Sequence, residues 1–265
     1  MSRIPIHIRP ALESDAPALG ALHALAFTNS AFLAHAFPGS TLASRTAYLH
    51  QRALQALADP NITTLVATAF SSSTDQYSDK DTNNVSEGEI LALVRWMGLS
   101  GSVSGSGSEK ETSTSSPNSN TNTKINPSPA TAALLATPPP AVSSMPRNEA
   151  VITSFANAMK PGREKWVGEG DIVLDLLCTH PAHQGHGIGT TMLRWGMERA
   201  DAAGRGIYLE ASREGRGLYE RLGWGVVGEV EVGFGDMDVD IDTTGRERER
   251  ERERVCLMRR EPVRL

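Results

Sequence analysis

Cysteine is scarce in this sequence. Only two of the 265 residues are cysteine, Cys178 and Cys256, which is too few for the disulfide framework of a small secreted protein. The first twelve residues hold no apolar stretch of the kind that a secretory signal requires. No apolar run reaches the roughly 20 residues of a transmembrane helix. These absences predict a protein of the cytoplasm, with the nucleus as an alternative, and no membrane partner.

Positive charge is not in excess either. The chain has 26 Lys and Arg against 31 Asp and Glu, a formal net charge of -5, and its pI is near 5.8. An acidic chain gains nothing from counterion release on nucleic acid, so nucleic acid is not an expected partner. Hydrophobic residues make up 39% of the chain, enough for a sizeable core. The length fits one large domain or two small ones.

Apolar periodicity predicts a mixed α/β domain, with a central sheet of about six to seven strands flanked by helices. Alternating or continuous apolar runs indicate the strands, and apolar residues at helical spacing indicate the helices. The predicted strands cover residues 4–9, 62–70, 89–97, 172–178, 207–211, 224–232 and 255–259, and the predicted helices cover 13–26, 40–58, 148–166, 187–203 and 215–222.

Two stretches depart from this pattern. Residues 98–146 are rich in Ser, Gly, Thr, Asn and Pro and cannot bury enough apolar area to offset the entropy of ordering. We interpret them as a disordered low-complexity insertion within one domain, because neither flank alone has a complete core; a linker between two domains is the alternative. Residues 236–254 are acidic and then alternate Arg and Glu, which favours a solvated, charged hairpin insertion over a partner-docking arm.

The most informative segment follows the strand that ends at Cys178 and Thr179. After a short loop, Gln184-Gly185-His186-Gly187-Ile188-Gly189 opens a helix. Glycines at such a turn allow a ligand to approach the backbone closely and leave amide N–H groups free. The helix N-terminus adds about half a positive charge. Together these features predict a site for a pyrophosphate group.

Two common phosphate loops fit this segment poorly. A P-loop ends in Gly-Lys-Ser/Thr, whereas Gly189 is followed by Thr190 and Thr191 with no lysine. A dinucleotide-binding loop needs G-x-G-x-x-G and an acidic residue about 20 positions on. Glu210 lies near that spacing, but the glycines read G-x-G-x-G, and too little chain follows for further βα units.

The segment resembles the Q/R-x-x-G-x-G/A motif of the GNAT (Gcn5-related N-acetyltransferase) superfamily. Further along, the chain resembles that family's L-E-A-S…LY…LGF stretch. The matching residues are Leu209-Glu210-Ala211-Ser212, Gly217-Leu218-Tyr219 and Leu222-Gly223-Trp224. The chain is most similar to small fungal members with a long insertion before the central strand. The resemblance is strong over the cofactor-binding core, residues 171–232. It implies one N-acetyltransferase domain over residues 1–265, with the acyl-CoA N-acyltransferase fold and a splayed sheet.

The resemblance also implies roles for individual residues. Acetyl-CoA would be the cosubstrate, with its pyrophosphate on the glycine loop and its pantetheine arm beside the strand before it. Ser212 would lie near the thioester, and Tyr219 would protonate the leaving thiolate; a core aromatic is the alternative for Tyr219. The cofactor-binding residues implied are Leu177, Cys178, Thr179, Gln184, Gly185, His186, Gly187, Ile188, Gly189, Thr190, Ser212 and Tyr219.

The acceptor side is less defined by the sequence. The acceptor would be a small-molecule amine or a peptide amine, and Asp171 is the first candidate for the general base. Asp175, Glu169 and Glu210 are alternatives, as is deprotonation through water. Trp166 could line the acceptor pocket, whereas Trp96 suits the core. A non-catalytic CoA-binding module is the alternative function, and the oligomeric state is left open.

A metal site is not expected, although one cluster looks like one. The side chains of Cys178, His180, His183 and His186 have spacings that can converge on zinc. They overlap the loop whose backbone would bind the pyrophosphate, so we expect no metal there.

Overall fold

A mixed sheet of seven strands organises the part of the chain that the computed structural model describes, residues 4–69, 88–99, 128–136, 145–234 and 252–263. The strand order is β1-β2-β3-β4-β5-β7-β6, and only β4 and β5 are parallel neighbours. This confirms the predicted fold class. The strands are β1 (Ile6–Pro10), β2 (Ile62–Ala69), β3 (Ile90–Met97), β4 (Ile172–Thr179), β5 (Ile207–Ala211), β6 (Gly225–Gly233) and β7 (Arg252–Arg260).

Seven helices accompany the sheet in these ranges. They are α1 (Ala16–Ala26), α2 (Ala31–Ala36), α3 (Leu42–Ala58), α4 (Pro129–Ala136), α5 (Glu149–Trp166), α6 (Ile188–Ala202) and α7 (Arg213–Arg221). Side chains that accept a backbone N–H define several starts, as N-caps do in general: Thr41 for α3, Asn148 for α5 and Ser212 for α7. None of the described helices combines the length and the apolar character needed to cross a membrane.

The helices cover both faces of the sheet. On one face, α6 and α7 pack on the central strands through a cluster that includes Trp96, Leu174 and Leu193. On the other face, α1 and α3 cover β2 to β4 through a second cluster, which includes Leu19 and Leu93. On this same face, α2 and α5 form a third cluster with β5 to β7. The last two clusters therefore share one face but are separate.

The central strands separate after a short parallel pairing. β4 and β5 are in register only from Ile172 opposite Ile207 to Leu174 opposite Leu209. Beyond Leu174, β4 runs on to Thr179 without β5 beside it, while β3 still pairs with it. The splayed sheet implied by the family resemblance is thus present, with an open gap between β4 and β5.

A β-bulge lies where this gap begins. Trp96 is opposite Leu174 and Arg95 is opposite Leu176, so Asp175 is the extra residue of β4. A bulge changes the side of the strand to which the following side chains point. Asp175 and Arg95 form an ion pair on the face covered by α1 and α5.

The prediction that all of 98–146 is disordered is wrong for residues 128–136. These include α4, whose Pro129 occupies the first helical turn, where its missing N–H costs nothing. The Glu13 carboxylate accepts hydrogen bonds from the Ser128 N–H at 2.9 Å and the Thr131 hydroxyl at 3.0 Å. Leu135 packs against the α1 and α3 cluster. Met145 is also buried, whereas residues 100–127 and 137–144 lie outside the described residues.

The predicted charged hairpin insertion, 236–254, overlaps β7 at its end. Residues 252–254 pair antiparallel with β6, and Glu231 accepts from both Arg252 and Arg254. Glu253 points to the other face, where its carboxylate accepts the Phe32 N–H at 2.9 Å. The expectation of a purely solvated segment is therefore wrong for Glu253, because alternate residues of a strand face opposite sides. Residues 236–251 lie outside the described residues.

Gly196 of α6 allows the indole of Trp96 to be fully buried. A Cβ atom at position 196 would lie 2.2 Å from Cζ2 of Trp96, far inside van der Waals contact. We expect Gly196→Ala to lower the free energy of unfolding by about 2 kcal/mol, since overpacking outweighs the gain in helix propensity. Denaturant unfolding would measure the change. In Gly217→Ala the new Cβ would meet only the end of the Arg221 side chain, and this control should be at least as stable as the parent. A Gly196→Ala protein as stable as the parent would contradict the packing argument.

Candidate active site

The edge of β4 that faces the gap carries unpaired backbone groups. Leu177 lies opposite Val94 of β3 and Cys178 opposite Leu93, and the His180 N–H donates to the Leu91 carbonyl. Backbone groups alternate in direction along an antiparallel ladder. The N–H and C=O of Leu177 therefore point into the gap rather than toward β3. An extended ligand could pair with this edge as an added strand would.

The glycine loop closes one end of the gap. Gly185 and Gly187 both have φ near 80°, a left-handed conformation that side-chain-bearing residues adopt at a cost. The N–H groups of Gly185 and of Gly187 to Thr190 donate to no residue in the described part of the chain. They lie at the N-terminus of α6, where the helix dipole favours an anion. A Cβ at Gly187 would meet nothing within 4 Å, so a ligand has space to approach.

Tyr219 of α7 lies on the other side of the gap. Its ring meets Trp224 edge to face, with the ring centroids 5.8 Å apart. Burial, with a smaller contribution from the nearby Cys178 of β4, raises the pKa of Tyr219 to about 12. The Tyr219 hydroxyl makes no hydrogen bond to any described residue. The phenol is therefore protonated at neutral pH, with its donor available to a ligand.

Ser212 supports this arrangement through the helix that carries Tyr219. The Ser212 Oγ accepts the Gly215 N–H at 3.3 Å and caps α7. The loss of such a cap typically costs about 1 kcal/mol. Its predicted place at the thioester end of the cosubstrate stays a prediction.

Residues 149–226, which run from α5 into β6, match the family model described as the acetyltransferase (GNAT) domain. Over this segment the chain is similar to that domain. An acetyltransferase of Stachybotrys chartarum is 33% identical over 78 residues, which are 29% of this chain and 33% of that protein. The chain thus matches about a third of the length of this curated relative.

Solved structures show the same fold. A structure of histone acetyltransferase HPA2 and related acetyltransferase from Corynebacterium glutamicum has a TM-score of 0.51 and 17% identity, and it covers 100% of this chain and 99% of its own. The C-terminal condensation domain of Ebony, in complex with beta-alanyl-dopamine, has a TM-score of 0.53 and 10% identity over 97% of this chain and 99% of its own. At these identities the likeness concerns the fold alone.

Asp171, the first candidate for the general base, lies away from the gap. It precedes β4, at the end where β4 and β5 are paired, and its carboxylate accepts from Arg259 and from the Gly168 N–H. Burial alone would raise its pKa, but these hydrogen bonds outweigh burial and hold the pKa below its usual range. Glu169 is exposed in the same turn, and Trp166 lines a surface pocket there with Arg259. These residues therefore belong to the closed end of the sheet.

Cys178 faces the α1 side and is buried. Burial raises the pKa of its thiol to about 12, so the thiolate that a nucleophile needs is not formed at neutral pH. The nearby His180 uses Nδ1 to accept the Ala182 N–H. Among the described residues, no three metal-ligand side chains converge on one point.

A cluster of charged side chains lies on one face of the sheet at the start of the gap, and we call it the polar cluster. It consists of Arg95 of β3, Asp175 of β4, Arg163 of α5 and Glu210 of β5. Arg163 and Glu210 form two hydrogen bonds of 2.7 Å, whereas Arg95 reaches Asp175 through one contact of 3.3 Å. The sequence offered Asp175 and Glu210 as alternative general bases. It gave no functional role to Arg95 or Arg163. The signal for Arg95 was a charge inside the otherwise apolar run of β3.

Proposed function

We propose that the protein transfers an acetyl group from acetyl-CoA to an amine. The observation that supports this most strongly is the gap between β4 and β5, with an unpaired strand edge along it and free amides at its end. The glycine loop alone would suit any phosphate ligand. A gap of this kind next to the loop suits a ligand with both a pyrophosphate and an extended, amide-containing arm, which is the chemistry of coenzyme A.

The residues of the gap divide the binding work between them. The amides of Gly185 and of Gly187 to Thr190 would hold the pyrophosphate, and the backbone of Leu177 would pair with the arm. The cosubstrate would supply the acetyl group as an activated thioester. Two reactants held side by side gain much of their rate from orientation alone.

Tyr219 would stabilise the sulfur that leaves. A phenol with a pKa near 12 is a weaker acid than a thiol, whose usual pKa is about 8.5. Donation of a hydrogen bond to the developing thiolate is therefore favoured over complete proton transfer. This refines the role that the family resemblance implied for Tyr219.

Asp175 is our candidate for the group that accepts the proton of the amine. It lies at the first position of β4 beyond the paired region, and its side chain is 29% exposed. Glu210 lies across the gap, but both of its oxygens accept hydrogen bonds from Arg163. A carboxylate held by two short charged hydrogen bonds is the poorer base.

Thermal unfolding with added ligand tests the binding part of this proposal. Acetyl-CoA at a hundredfold excess over Kd should stabilise the protein by about 2.7 kcal/mol, while NAD and ATP should not. Gly187→Ala should remove the effect by straining the loop. Gly204→Ala is a matched control, since Gly204 also has positive φ, at 63°, but lies at the far end of α6. Stabilisation by NAD or ATP in place of acetyl-CoA would contradict the proposal.

Release of free thiol with a panel of amines tests the catalytic part. Turnover should require both acetyl-CoA and a primary amine. Binding of acetyl-CoA without turnover of any amine would instead indicate a non-catalytic CoA-binding module.

A further inference from the structure

The polar cluster lies between two apolar clusters that share one face of the sheet. Cys178 and Leu176 of β4 pack with α1 and α3, whereas Val173 of β4 and Tyr208 of β5 pack with α2 and α5. A continuous core would be expected if the helices on this face only served packing. The charged side chains Arg95, Asp175, Arg163 and Glu210 lie between the clusters, at the mouth of the gap.

Arg95 makes fewer polar contacts than the buried Arg260. Its side chain is only 11% exposed, and its single ion pair, with Asp175, is 3.3 Å long. Its Nε is buried without a hydrogen-bond partner in the described part of the chain. Arg260, 5% exposed, instead makes two hydrogen bonds of 2.8 and 2.7 Å to Asp201. Buried donors in native structures normally have partners, so the spare donors of Arg95 call for a ligand.

Two further neighbours of Arg95, His23 and Arg163, do not neutralise its positive charge. His23 of α1 is close by, but burial, together with the charges of Arg95 and Arg52, lowers its pKa to about 4. His23 is therefore neutral at physiological pH and adds no negative charge. Arg163, the other cation of the polar cluster, already forms an ion pair with Glu210. Arg95 is thus the cation of the cluster with unpaired donors.

We infer that the acceptor amine also carries an anionic oxygen group, a carboxylate or a phosphate, which the Arg95 guanidinium binds. A planar guanidinium suits such groups because its donors match two oxygens at once. The amine of the same molecule would then lie toward Asp175, on the next strand. The acceptor class is an amino acid or an aminoalkyl phosphate. This inference rests on the proposed acetyl transfer.

Matched pairs of acceptors test it by thiol release in the presence of acetyl-CoA. The anionic members are 3-aminopropanoate, 4-aminobutyrate and O-phosphoethanolamine, and the neutral partners are the two carboxamides and ethanolamine. We expect at least one anionic acceptor to exceed its neutral partner by about 30-fold or more in kcat/KM, the usual effect of leaving a buried charge without its partner. The carboxylate and phosphate arms distinguish the two ligand groups.

Variants of Arg95 identify the group responsible. Arg95→Gln should abolish the preference for the anionic acceptor, and Arg95→Lys should retain part of it. Arg199→Gln, a change on α6 where the guanidinium stacks on Trp195, should leave the preference unchanged. Stabilisation by acetyl-CoA, measured for each variant, shows whether it folds.

Two outcomes would overturn the inference while leaving acetyl transfer intact. One is an equal or better rate with every neutral partner, and the other is an unchanged preference in folded Arg95→Gln or Arg95→Lys protein. The inference also fails if no anionic amine is acetylated or further stabilises the acetyl-CoA-loaded protein. A protein that acetyl-CoA itself does not stabilise would refute the proposed function instead.

Discussion

Replacing Tyr219 with phenylalanine should lower kcat for thiol release by about 100-fold, with little change in affinity for acetyl-CoA. The variant keeps the ring that packs on Trp224 and loses only the hydroxyl. A donor aimed at developing charge in a dry site typically contributes this much to the rate. Steady-state kinetics would measure kcat, and ligand-dependent thermal unfolding would measure the affinity.

The pH dependence gives this prediction a second readout. The protonated phenol is the active form, and burial raises its pKa to about 12. Loss of the donor therefore begins only as the pH approaches that value, so the drop in kcat caused by Tyr219→Phe should be constant from about pH 6 to 10. Tyr48→Phe, in α3 against Phe37, is the control and should keep full activity. A Tyr219→Phe protein that turns over as fast as the parent would leave Tyr219 a packing residue only.

Asp171→Asn and Asp175→Asn should have opposite consequences. Asp171→Asn should cost about 3 kcal/mol of stability, the usual result when one member of a largely buried ion pair is removed. The folded variant should keep its activity. Asp175→Asn should lower kcat/KM by about 100-fold, as loss of a general base does, and should cost less stability than Asp171→Asn because its one contact with Arg95 is long and the amide oxygen can still accept from Arg95. Denaturant unfolding and thiol release on both variants measure the two effects.

The stability difference for Asp171 depends on pH in a defined direction. The folded-state pKa of Asp171 lies below the usual value, which is about 3.9 in an unfolded chain. The ionised form is thus the stabilising one, and its contribution is present above about pH 4 and lost as pH falls through the folded-state pKa. The parent and Asp171→Asn should therefore converge in stability in acid. Loss of activity in folded Asp171→Asn, with Asp175→Asn unaffected, would restore Asp171 as the base.

Most elements could be predicted because their signals are local. Strands β2 to β5 and helices α3, α5 and α6 carry strong period-2 or period-3.6 apolar patterns. Helix α2 was missed because its six residues are too few to show a period. Helix α4 was missed because its Ala- and Leu-containing segment lies inside a low-complexity stretch. That residues 1–265 form one N-acetyltransferase domain stays a prediction.

The features of the candidate site also fall into two groups, those that local sequence predicts and those that depend on distant contacts. The glycine loop and α7 were predicted because each is contiguous in sequence and its geometry is set by nearby residues. Which carboxylate is the general base stays a prediction, because Asp171 and Asp175 are both plausible in sequence. Only the bulge and the Arg259 contact tell them apart. Arg259 lies 88 residues from Asp171 along the chain, and no local pattern records such a contact.

By itself, the sequence determined the order of the elements and the glycine loop, since both follow from backbone preferences and the spacing of neighbouring side chains. The tertiary structure alone decided that β4 and β5 separate after Leu174, and that Asp175 pairs with Arg95 in the polar cluster while Asp171 lies outside it. It alone also placed Arg95 there with donors to spare. The physical reason is that these features depend on contacts between elements far apart in the chain, and burial and pairing arise only when those elements pack.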